Sequence, residues 1–390
     1  MCHARTCFPT LIFAMLLSAL LPAQAKAGEK ITLLRVPNEG IQPQLAVDAK
    51  AAIHLIYFKG QPQAGDVYYV KSSDAGASWS KAIRVNSEPG SVVAMGNIRG
   101  SQIALGKAGR VHVSWMGSSK TTGGDHKKAA MLYARMNDAH DAFEAQRNII
   151  TSAYGLDGGG SIAADETGNI YIAWHAGLEG GEQARRVWLT RSTDEGKTFA
   201  KESAIDDGTG ACGCCGMRIA TNGKSLFVLY RNASTKSDRD MKMLVSHDAG
   251  RSFETSMSDA WMVQMCPMSL PSIATYGSAT TAAWETAGGK AAFARIDEKT
   301  GKSLGSTDAP QLKKAPAGPQ KFPVTASDKD GNTLFVWTQG MGWNRGGAVA
   351  WQLYDAKGFP LANKNGVEFG VAAWSVAAVA ATDKGFVIFY

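Results

Sequence analysis

The chain has 390 residues and a formal charge of +7, from 41 lysines and arginines against 34 aspartates and glutamates. This excess is small and forms no basic block, so the composition argues against a nucleic-acid partner and suits solubility or attraction of anionic ligands. No segment after the first 25 residues has the roughly 18 apolar residues that a membrane-spanning helix requires. We therefore predict no membrane span.

The N-terminus has the three parts of a secretory signal peptide. Arg5 provides the positive charge, "LIFAMLLSALL" (11–21) the apolar segment, and "AQA" (23–25) the small residues of a cleavage site. We predict cleavage after this triplet, so that the signal peptide is residues 1–25, with Ala27 as the alternative. The mature chain, residues 26–390, is then exported and is periplasmic or secreted.

The mature chain repeats one pattern seven times. Each repeat is a short strand, a turn with Gly, Asp or Asn, and a second strand of alternating apolar residues. The repeats begin about 50 to 60 residues apart. They occupy residues 43–58, 101–116, 160–175, 216–231, 271–285, 323–338 and 375–390. Hairpins at one period predict an all-β fold, a β-propeller of four-stranded antiparallel blades with one hairpin as the inner half of each blade.

We predict seven blades, with six as the alternative. The seventh hairpin lies at the C-terminus and lacks outer strands of its own. The segment "KITLLRV" (30–36) can supply an N-terminal strand that closes the ring and removes free sheet edges. We therefore predict a single propeller domain over residues 26–390, although the length alone would suggest two or more domains.

Three segments share the pattern Ser-x-Asp-x-Gly-x-Ser/Thr-aromatic, each at the same place in its repeat. They are "SSDAGASW" (72–79), "STDEGKTF" (192–199) and "SHDAGRSF" (246–253). The carboxylate can accept bonds from the amides of a tight turn, the glycine accepts a positive φ, and the aromatic ring packs into the blade. We assign this structural role to Asp74, Gly76, Trp79, Asp194, Gly196, Phe199, Asp248, Gly250 and Phe253. The segments resemble the Asp-box, or BNR, repeats of the sialidase-like propellers, and the resemblance implies the same fold.

The connections of such blades alternate between two faces of the disc. We call the face with the inner hairpin turns and Asp boxes the turn face. The loop face is the opposite one, where blades connect to each other and second strands connect to third strands. Long or chemically unusual segments fall on the loop face, where a rigid scaffold usually carries function. They include residues 115–128, 174–186, 206–216, 230–240, 261–271 and 337–347.

Two of these loops contain all the cysteines of the mature chain, because Cys2 and Cys7 leave with the signal peptide. Three cysteines precede the fourth hairpin and one precedes the fifth. They are Cys212, Cys214, Cys215 and Cys266. Since neighbouring inner strands begin beside the propeller axis, we expect the four sulfur atoms to lie close together on the loop face.

Three interpretations of this cluster remain open. An even number of cysteines in an oxidising compartment favours a disulfide between Cys266 and one of the other three. Thiolates also bind copper or zinc, and thioethers add a preference for copper. The methionines next to the cysteines are Met217, Met265 and Met268. A redox or thiol-reactive role is the third interpretation, which the spacing favours least.

The pattern Cys-x-Cys-Cys followed by Cys-Pro resembles an exported bacterial subgroup of Asp-box propellers. The residues Tyr230, Arg231, Arg239 and Asp240 match the same pattern. This resemblance implies the fold and the unity of the cluster, and it implies no activity.

The resemblance to sialidases also implies a set of catalytic residues. Sialidases hold the substrate carboxylate with three arginines, whose planar guanidinium suits a carboxylate, and use a Tyr–Glu pair as nucleophile with an Asp as acid/base. The candidates in this sequence are Arg35 in "LRVP" (34–37), Arg231, Arg345, Tyr230 and Glu285. We place no residue as acid/base. Arg35 also reads as an ordinary strand-end residue, and Arg231 as the partner of Asp240 in an ion pair within its own loop.

We predict an exported propeller that binds a small molecule, a glycan or a soft metal on its loop face. The candidate ligand-binding residues are His175, Arg231, Arg239, Asp240, Trp343 and Arg345. One alternative is a sialidase or another glycoside hydrolase acting on an acidic sugar. The other is a scaffold whose loop face docks a second exported protein.

Overall fold

The computed structural model describes residue 1 and residues 30–125, 128–177, 179–277 and 279–390. Apart from Met1, the predicted signal peptide lies outside the described residues. Among the described helices, none is long and apolar enough to cross a membrane. The helical segments in this part of the chain are 3-10 turns of three or four residues.

Seven sheets are arranged around one axis, which confirms the prediction of seven blades; the six-blade alternative is wrong. Six sheets are antiparallel and each uses four consecutive strands. The innermost strands are β2 (Ile41–Val47), β6 (Gln102–Leu105), β10 (Ser161–Ala164), β14 (Arg218–Asn222), β18 (Ser272–Tyr276), β22 (Gln320–Ser327) and β26 (Ala378–Thr382). Each contacts the innermost strands of both neighbouring blades, including β26 with β2, so the ring is closed.

The other strands extend each blade outward from the axis. The second strands are β3 (Ile53–Gln61), β7 (Val111–Met116), β11 (Ile170–Ala176), β15 (Ser225–Arg231), β19 (Ala279–Thr286), β23 (Thr333–Gln339) and β27 (Gly385–Phe389). The third strands are β4 (Ala64–Ser72), β8 (Met131–Arg135), β12 (Arg186–Ser192), β16 (Met241–Ser246), β20 (Lys290–Ile296) and β24 (Gly347–Tyr354). The fourth strands are β5 (Ile83–Arg84), β9 (Arg147–Asn148), β13 (Ser203–Ala204), β17 (Glu254–Asp259), β21 (Ser303–Asp308) and β25 (Pro360–Val371).

The N-terminal strand β1 (Ile31–Leu34) closes the seventh blade, as the sequence predicts. This blade differs from the other six because it has three described strands, in the order β26-β27-β1, and β1 runs parallel to β27. The direction follows from the connections. Strand β1 must run toward the loop face to begin β2 there, and every second strand, including β27, runs in that direction.

The core consists of one apolar layer between each pair of neighbouring blades. Strand β15 shows how the sequence builds two layers at once. Its residues Leu226, Val228 and Tyr230 pack toward the third blade, and Phe227 and Leu229 pack toward the fifth. Because side chains of a strand alternate between faces, burial on both faces requires a continuous apolar run. Each fully buried side chain of this size contributes about 1.5–3 kcal/mol.

The Asp boxes stabilise the turns between third and fourth strands. The Asp194 carboxylate accepts hydrogen bonds from the Thr198 backbone N–H at 2.9 Å, the Thr198 hydroxyl at 2.6 Å and the Ser192 hydroxyl at 2.6 Å. Asp74 and Asp248 accept the equivalent bonds in their own boxes. One carboxylate thus satisfies the donors of a turn that would otherwise have no protein partner.

The boxes lie on the turn face and pack against the adjacent blade. The backbone N–H of Glu195 donates to the Gly168 carbonyl in the inner hairpin turn of the same blade, at 3.0 Å. Gly196 has a φ of 78°, and Phe199 meets the Tyr133 ring edge-on at 5.0 Å. Positive φ recurs at Gly76 and Gly250, and inward aromatic packing at Trp79 and Phe253.

Candidate functional site

Apolar side chains gather at the loop-face ends of the innermost strands. Ile98, Leu270, Phe322 and Val376 form a buried cluster, with Met268 packed against it. Each of the first four lies in, or within four residues of, the innermost strand of a different blade: the second, fifth, sixth and seventh. We call this cluster the apolar cap.

The structure brings the cysteines of the two loops together. Cys214 and Cys266 form a disulfide with a Cα–Cα distance of 6.3 Å. Cys212 and Cys215 are free thiols and each is 1% exposed. The sulfur atoms of Cys212, Cys214 and Cys215 lie within 4.8 Å of one another, and Cys212 Sγ is 3.5 Å from Cys214 Sγ. Because Cys266 is exposed and the thiols are buried, the disulfide lies on the solvent side of the cluster.

Backbone hydrogen bonds fix the cysteine loop to three blades. The Cys212 N–H donates to the Arg231 carbonyl at 3.0 Å, and the Gly216 N–H donates to the Ser269 carbonyl at 2.8 Å. The Cys215 carbonyl accepts a bond from His175 Nε2 at 2.7 Å. The loop therefore has donors and acceptors from the third, fourth and fifth blades, which hold its thiols in place.

The two free thiols have unequal acidity. Burial opposes ionisation of Cys215, but the hydrogen bond from Cys212, the charge of Arg231 and the Ser269 N–H lower the pKa of Cys215. The hydrogen bond to Cys215 and then burial raise the pKa of Cys212. Cys215 is therefore the first of the pair to ionise, and Cys212 is the proton donor to it.

His175 is a buried neutral imidazole beside this loop. Burial lowers its pKa to about 4, against the opposing effect of the Cys215 carbonyl. Its Nε2 donates to that carbonyl, and its buried Nδ1 has no hydrogen-bond partner among the described residues. The ring therefore supports the cysteine loop and presents no charge at neutral pH.

The three candidate methionines have different surroundings. Met217 is fully buried in the apolar layer between the third and fourth blades. Met265 is 74% exposed, and Met268 packs against the apolar cap with a φ of 44°. Among the described cysteine, histidine and acidic side chains, the group that brings its ligand atoms together here consists of three cysteines.

The Arg231 guanidinium donates its hydrogen bonds to backbone carbonyls. It is 2% exposed and donates to the Arg239 carbonyl at 2.6 Å and to the Glu285 carbonyl, with its guanidinium 4.2 Å from the centre of the Trp261 ring. The expected ion pair with Asp240 is absent among the described residues, because Asp240 accepts from the Trp261 backbone N–H at 2.9 Å. The ion pair of this loop is Arg239 with Glu182 of the third blade.

The other two candidate arginines lie apart from Arg231. Arg35 donates to the carbonyls of Phe369 and Gly370 at the outer edge of the sixth blade, with its guanidinium 4.1 Å from the centre of the Tyr390 ring. Arg345 is exposed, in the β23–β24 loop. The structure therefore does not bring three free guanidinium groups together around one carboxylate position.

Tyr230 and Glu285 are not paired either. Tyr230 packs between the third and fourth blades and is 1% exposed, whereas the next residue, Arg231, points toward the fifth blade. Glu285 is 3% exposed; it forms an ion pair with Lys321 at 2.8 Å and accepts the Phe322 backbone N–H at 3.2 Å. A tyrosine and a carboxylate on opposite faces of β15 cannot act as one nucleophile.

Trp343 is the one aromatic candidate that reaches solvent on this face. Its ring is 53% exposed and lies beside Gly96 of the loop between the first and second blades. An exposed indole at this position provides a flat apolar surface next to the axis.

Sequence reasoning missed two features of the site. Once Cys214 is bonded to Cys266, the two remaining thiols, Cys212 and Cys215, have the Cys-x-x-Cys spacing. This spacing is present in the sequence but is easily overlooked, because Cys214 is one of the two intervening residues. The spacing was expected to disfavour thiol chemistry because a Cys-x-x-Cys pattern was thought to be missing, and that premise is wrong. The second feature is Arg218, a charged residue at the start of the innermost strand "RIATN", where its neighbours are small or apolar.

Comparison with known proteins identifies the fold. No family model and no curated protein matches the chain. A protein of unknown function from Dyadobacter fermentans matches at 13% identity and a TM-score of 0.54, over 80% of this chain and 93% of that one. An α-L-arabinanase of Penicillium chrysogenum matches at 12% and 0.52, over 83% and 95%. The Hadza microbial sialidase Hz136 matches at 12% and 0.54, over 82% and 66%. The chain therefore shares the fold of these sialidase and arabinanase structures.

Proposed function

We propose that the chain is an exported member of the sialidase-like Asp-box superfamily that binds the soft ion Cu(I) at its cysteine cluster and does not hydrolyse sialosides. The observation that carries this proposal is the convergence of three sulfur atoms within 4.8 Å of one another, two of them free thiols. The shared fold and the three Asp boxes support membership of the superfamily.

The number of available thiols favours copper over zinc. With the Cys214–Cys266 disulfide intact, Cys212 and Cys215 are the two thiols that remain. Thiolates select Cu(I), whereas structural zinc takes four ligands in a tetrahedron. The group of side chains with ligand atoms mutually within 4.8 Å does not include His175, which would be the obvious further ligand.

The surroundings of the thiols suit a site of this charge. Two thiolates and one Cu(I) have a net charge of −1, and the buried guanidinium of Arg231 acts on Cys215 with the opposite charge. The buried position of both thiols protects a bound Cu(I) from competing solvent ligands. Because the charge of Arg231 opposes that of the Cu(I) dithiolate, the site does not bury an uncompensated charge.

The arrangement of the loop face gives no support to sialidase chemistry. Arg35 and Arg231 donate to backbone carbonyls, and Glu285 is bonded to Lys321. A carboxylate substrate would therefore lack the arginine clamp, and the Tyr–Glu pair would not form.

The test is Cu(I) binding to the chain from residue 26 onward, measured without oxygen against a chromophoric Cu(I) chelator. We expect one Cu(I) per chain. C212S and C215S should each weaken binding by about 100-fold, which equals about 2.7 kcal/mol, because each removes one of two thiolates. The matched control is M262L, which changes a side chain that is 76% exposed in the neighbouring loop and should bind like the wild type.

Two results would contradict the proposal. One is the absence of stoichiometric Cu(I), and the other is unchanged affinity in both serine variants. Stoichiometric zinc binding without copper binding would show that the cysteine cluster is a metal site but that its metal is zinc. Turnover of a fluorogenic sialoside that E285Q abolishes would instead support the glycoside hydrolase alternative.

A further inference from the structure

The central channel contains a buried charge that the cysteine site does not use. The channel is a cavity of about 410 Å³, lined by residues of all seven innermost strands. Most of the lining side chains are small or aliphatic. Arg218, the first residue of β14, contributes to the lining and is 8% exposed. It is the one basic residue among the described residues that line this cavity.

The Arg218 guanidinium has no acidic partner among the residues that the structure describes. Its one hydrogen bond to a described residue runs from Nη1 to the carbonyl of Met217, at 2.8 Å. Burial lowers the pKa of Arg218 to about 10, so the group is charged at neutral pH. A buried charge without a partner is costly, and burial of an arginine normally requires a counter-charge.

The one acidic residue of the channel lining cannot serve as that counter-charge. Asp48 follows β2 in a hairpin turn at the turn face, whereas Arg218 begins β14 at the loop-face end. An innermost strand of five residues separates these ends by about 15 Å. Asp48 is also bonded to His54 at 3.1 Å and to Lys71 at 3.3 Å.

A polar group without a described partner lies at the equivalent position of the neighbouring innermost strand. Ser272 is the first residue of β18, the neighbouring innermost strand, and it lines the same cavity. Its buried Oγ has no hydrogen-bond partner among the described residues. A hydroxyl and a guanidinium at equivalent positions of adjacent strands form a pair of donors suited to one anion.

We propose that a small monovalent anion binds in the channel between Arg218 and Ser272. A halide and a small carboxylate such as formate share the required chemistry, a single negative charge of small volume. The anion supplies the counter-charge of Arg218 and thereby stabilises the closed ring. This site is distinct from the cysteine cluster, because Arg218 and Ser272 line the channel and none of the four cysteines does.

The route to the site favours monovalent anions. The cavity shares Val47, Asp48, Tyr276 and Ala381 with a depression on the turn face. Two lysines and five aspartates line that depression. The aspartates are Asp48, Asp328, Asp330, Asp355 and Asp383. Their net negative charge repels an entering anion more strongly as its valence rises.

The test combines crystallography with thermal unfolding. Wild-type crystals soaked in sodium bromide should show an anomalous scattering peak beside the Arg218 guanidinium. In solution, the Tm of the wild type should rise relative to that of R218Q as bromide replaces sulfate at constant ionic strength, because a ligand of the folded state stabilises it, whereas the general effect of exchanging the salts acts on both proteins. R84Q, a change of an exposed arginine on the first blade, should show the same rise relative to R218Q.

The other outcomes are equally decisive. A rise with formate but not with bromide, lost in R218Q, would identify a carboxylate as the anion. Absence of the bromide peak together with equal anion dependence in R218Q and wild type would overturn the proposal. If R218Q does not fold, S272A and the wild-type crystal decide: a peak that S272A weakens supports the site, and no peak in the wild type rejects it.

Discussion

Replacing Lys321 by methionine removes the charge partner of a buried carboxylate that joins two blades. Glu285 on β19 is 3% exposed, and its Oε2 lies 2.8 Å from the Lys321 Nζ on β22. Its Oε1 accepts the Phe322 backbone N–H at 3.2 Å, a bond that K321M retains. The variant removes the cation together with its bond to the Pro267 carbonyl.

We expect K321M to lower the free energy of unfolding by about 3 kcal/mol. Breaking a buried ion pair from one side costs about 3–5 kcal/mol. The lower end applies because the Lys321 side chain is 16% exposed and the Phe322 N–H remains bonded. For about 360 folded residues the unfolding entropy is about 0.76 kcal/mol/K, so the Tm should fall by about 4 °C.

Removing the carboxylate charge, in E285Q, should lower the free energy of unfolding by less than K321M does. In E285Q the amide oxygen can keep the Phe322 bond, and Lys321 keeps its bond to the Pro267 carbonyl at 2.6 Å. We expect a loss of about 1 kcal/mol. The double variant E285Q/K321M should recover more than half of the K321M loss, because it leaves no unpaired charge.

Thermal unfolding followed by circular dichroism measures all three variants. The matched control is K329M, which breaks the exposed Lys329–Asp330 pair and should change the free energy of unfolding by less than about 0.5 kcal/mol. The reasoning is refuted if K321M unfolds within about 1 °C of the wild type, or if the double variant is no more stable than K321M.

Three further predictions concern the acid response, the thiols and an Asp box. Burial opposes ionisation of Glu202, but hydrogen bonds from the loop 151–153 outweigh it and lower the pKa of Glu202 to about 2. The contribution of the Glu202 carboxylate to stability is therefore full above its ordinary pKa of 4.5 and is lost as the pH falls through 2. The Tm of E202Q should decline less between these two pH values than that of the wild type. Ellman's reagent should react with no thiol of the folded chain from residue 26 onward and with two, Cys212 and Cys215, after denaturation, whereas four would show that the disulfide is absent. G196A should lower the Tm by at least about 1 °C, because residue 196 has a φ of 78° and a Cβ there would overlap the Tyr133 side chain. An unchanged Tm would contradict this prediction.

Much of the fold could be predicted because its signals are local. The apolar run of β15 and the turn residues of each hairpin depend on neighbours in sequence, and the recurrence of such hairpins predicts the blade number. The parallel pairing of β1 with β27 was not predicted, because it depends on the direction in which the chain must leave one blade to enter the next.

Less of the candidate site could be predicted. Tyr230 and Arg231 are adjacent in sequence and were assigned to one pocket, but consecutive side chains of a strand face opposite sides, and Glu285 lies on the side of Arg231 alone. The bonding partners of the candidate arginines could not be predicted, for a similar reason. Their bonding partners, such as the carbonyl of Gly370 for Arg35, come from distant parts of the chain.

The sequence by itself determined the propeller ring and the position of the Asp boxes in it, favoured seven blades over six, and predicted that the two cysteine loops meet beside the axis. Only the tertiary structure decided that Cys266 bonds to Cys214, that Cys212 and Cys215 remain as thiols, and that Arg218 has no acidic partner among the described residues. The physical reason is the range of the interactions. Periodicity and turn chemistry act between residues close in sequence, whereas a disulfide or an ion pair depends on distances of a few ångströms between residues of different blades.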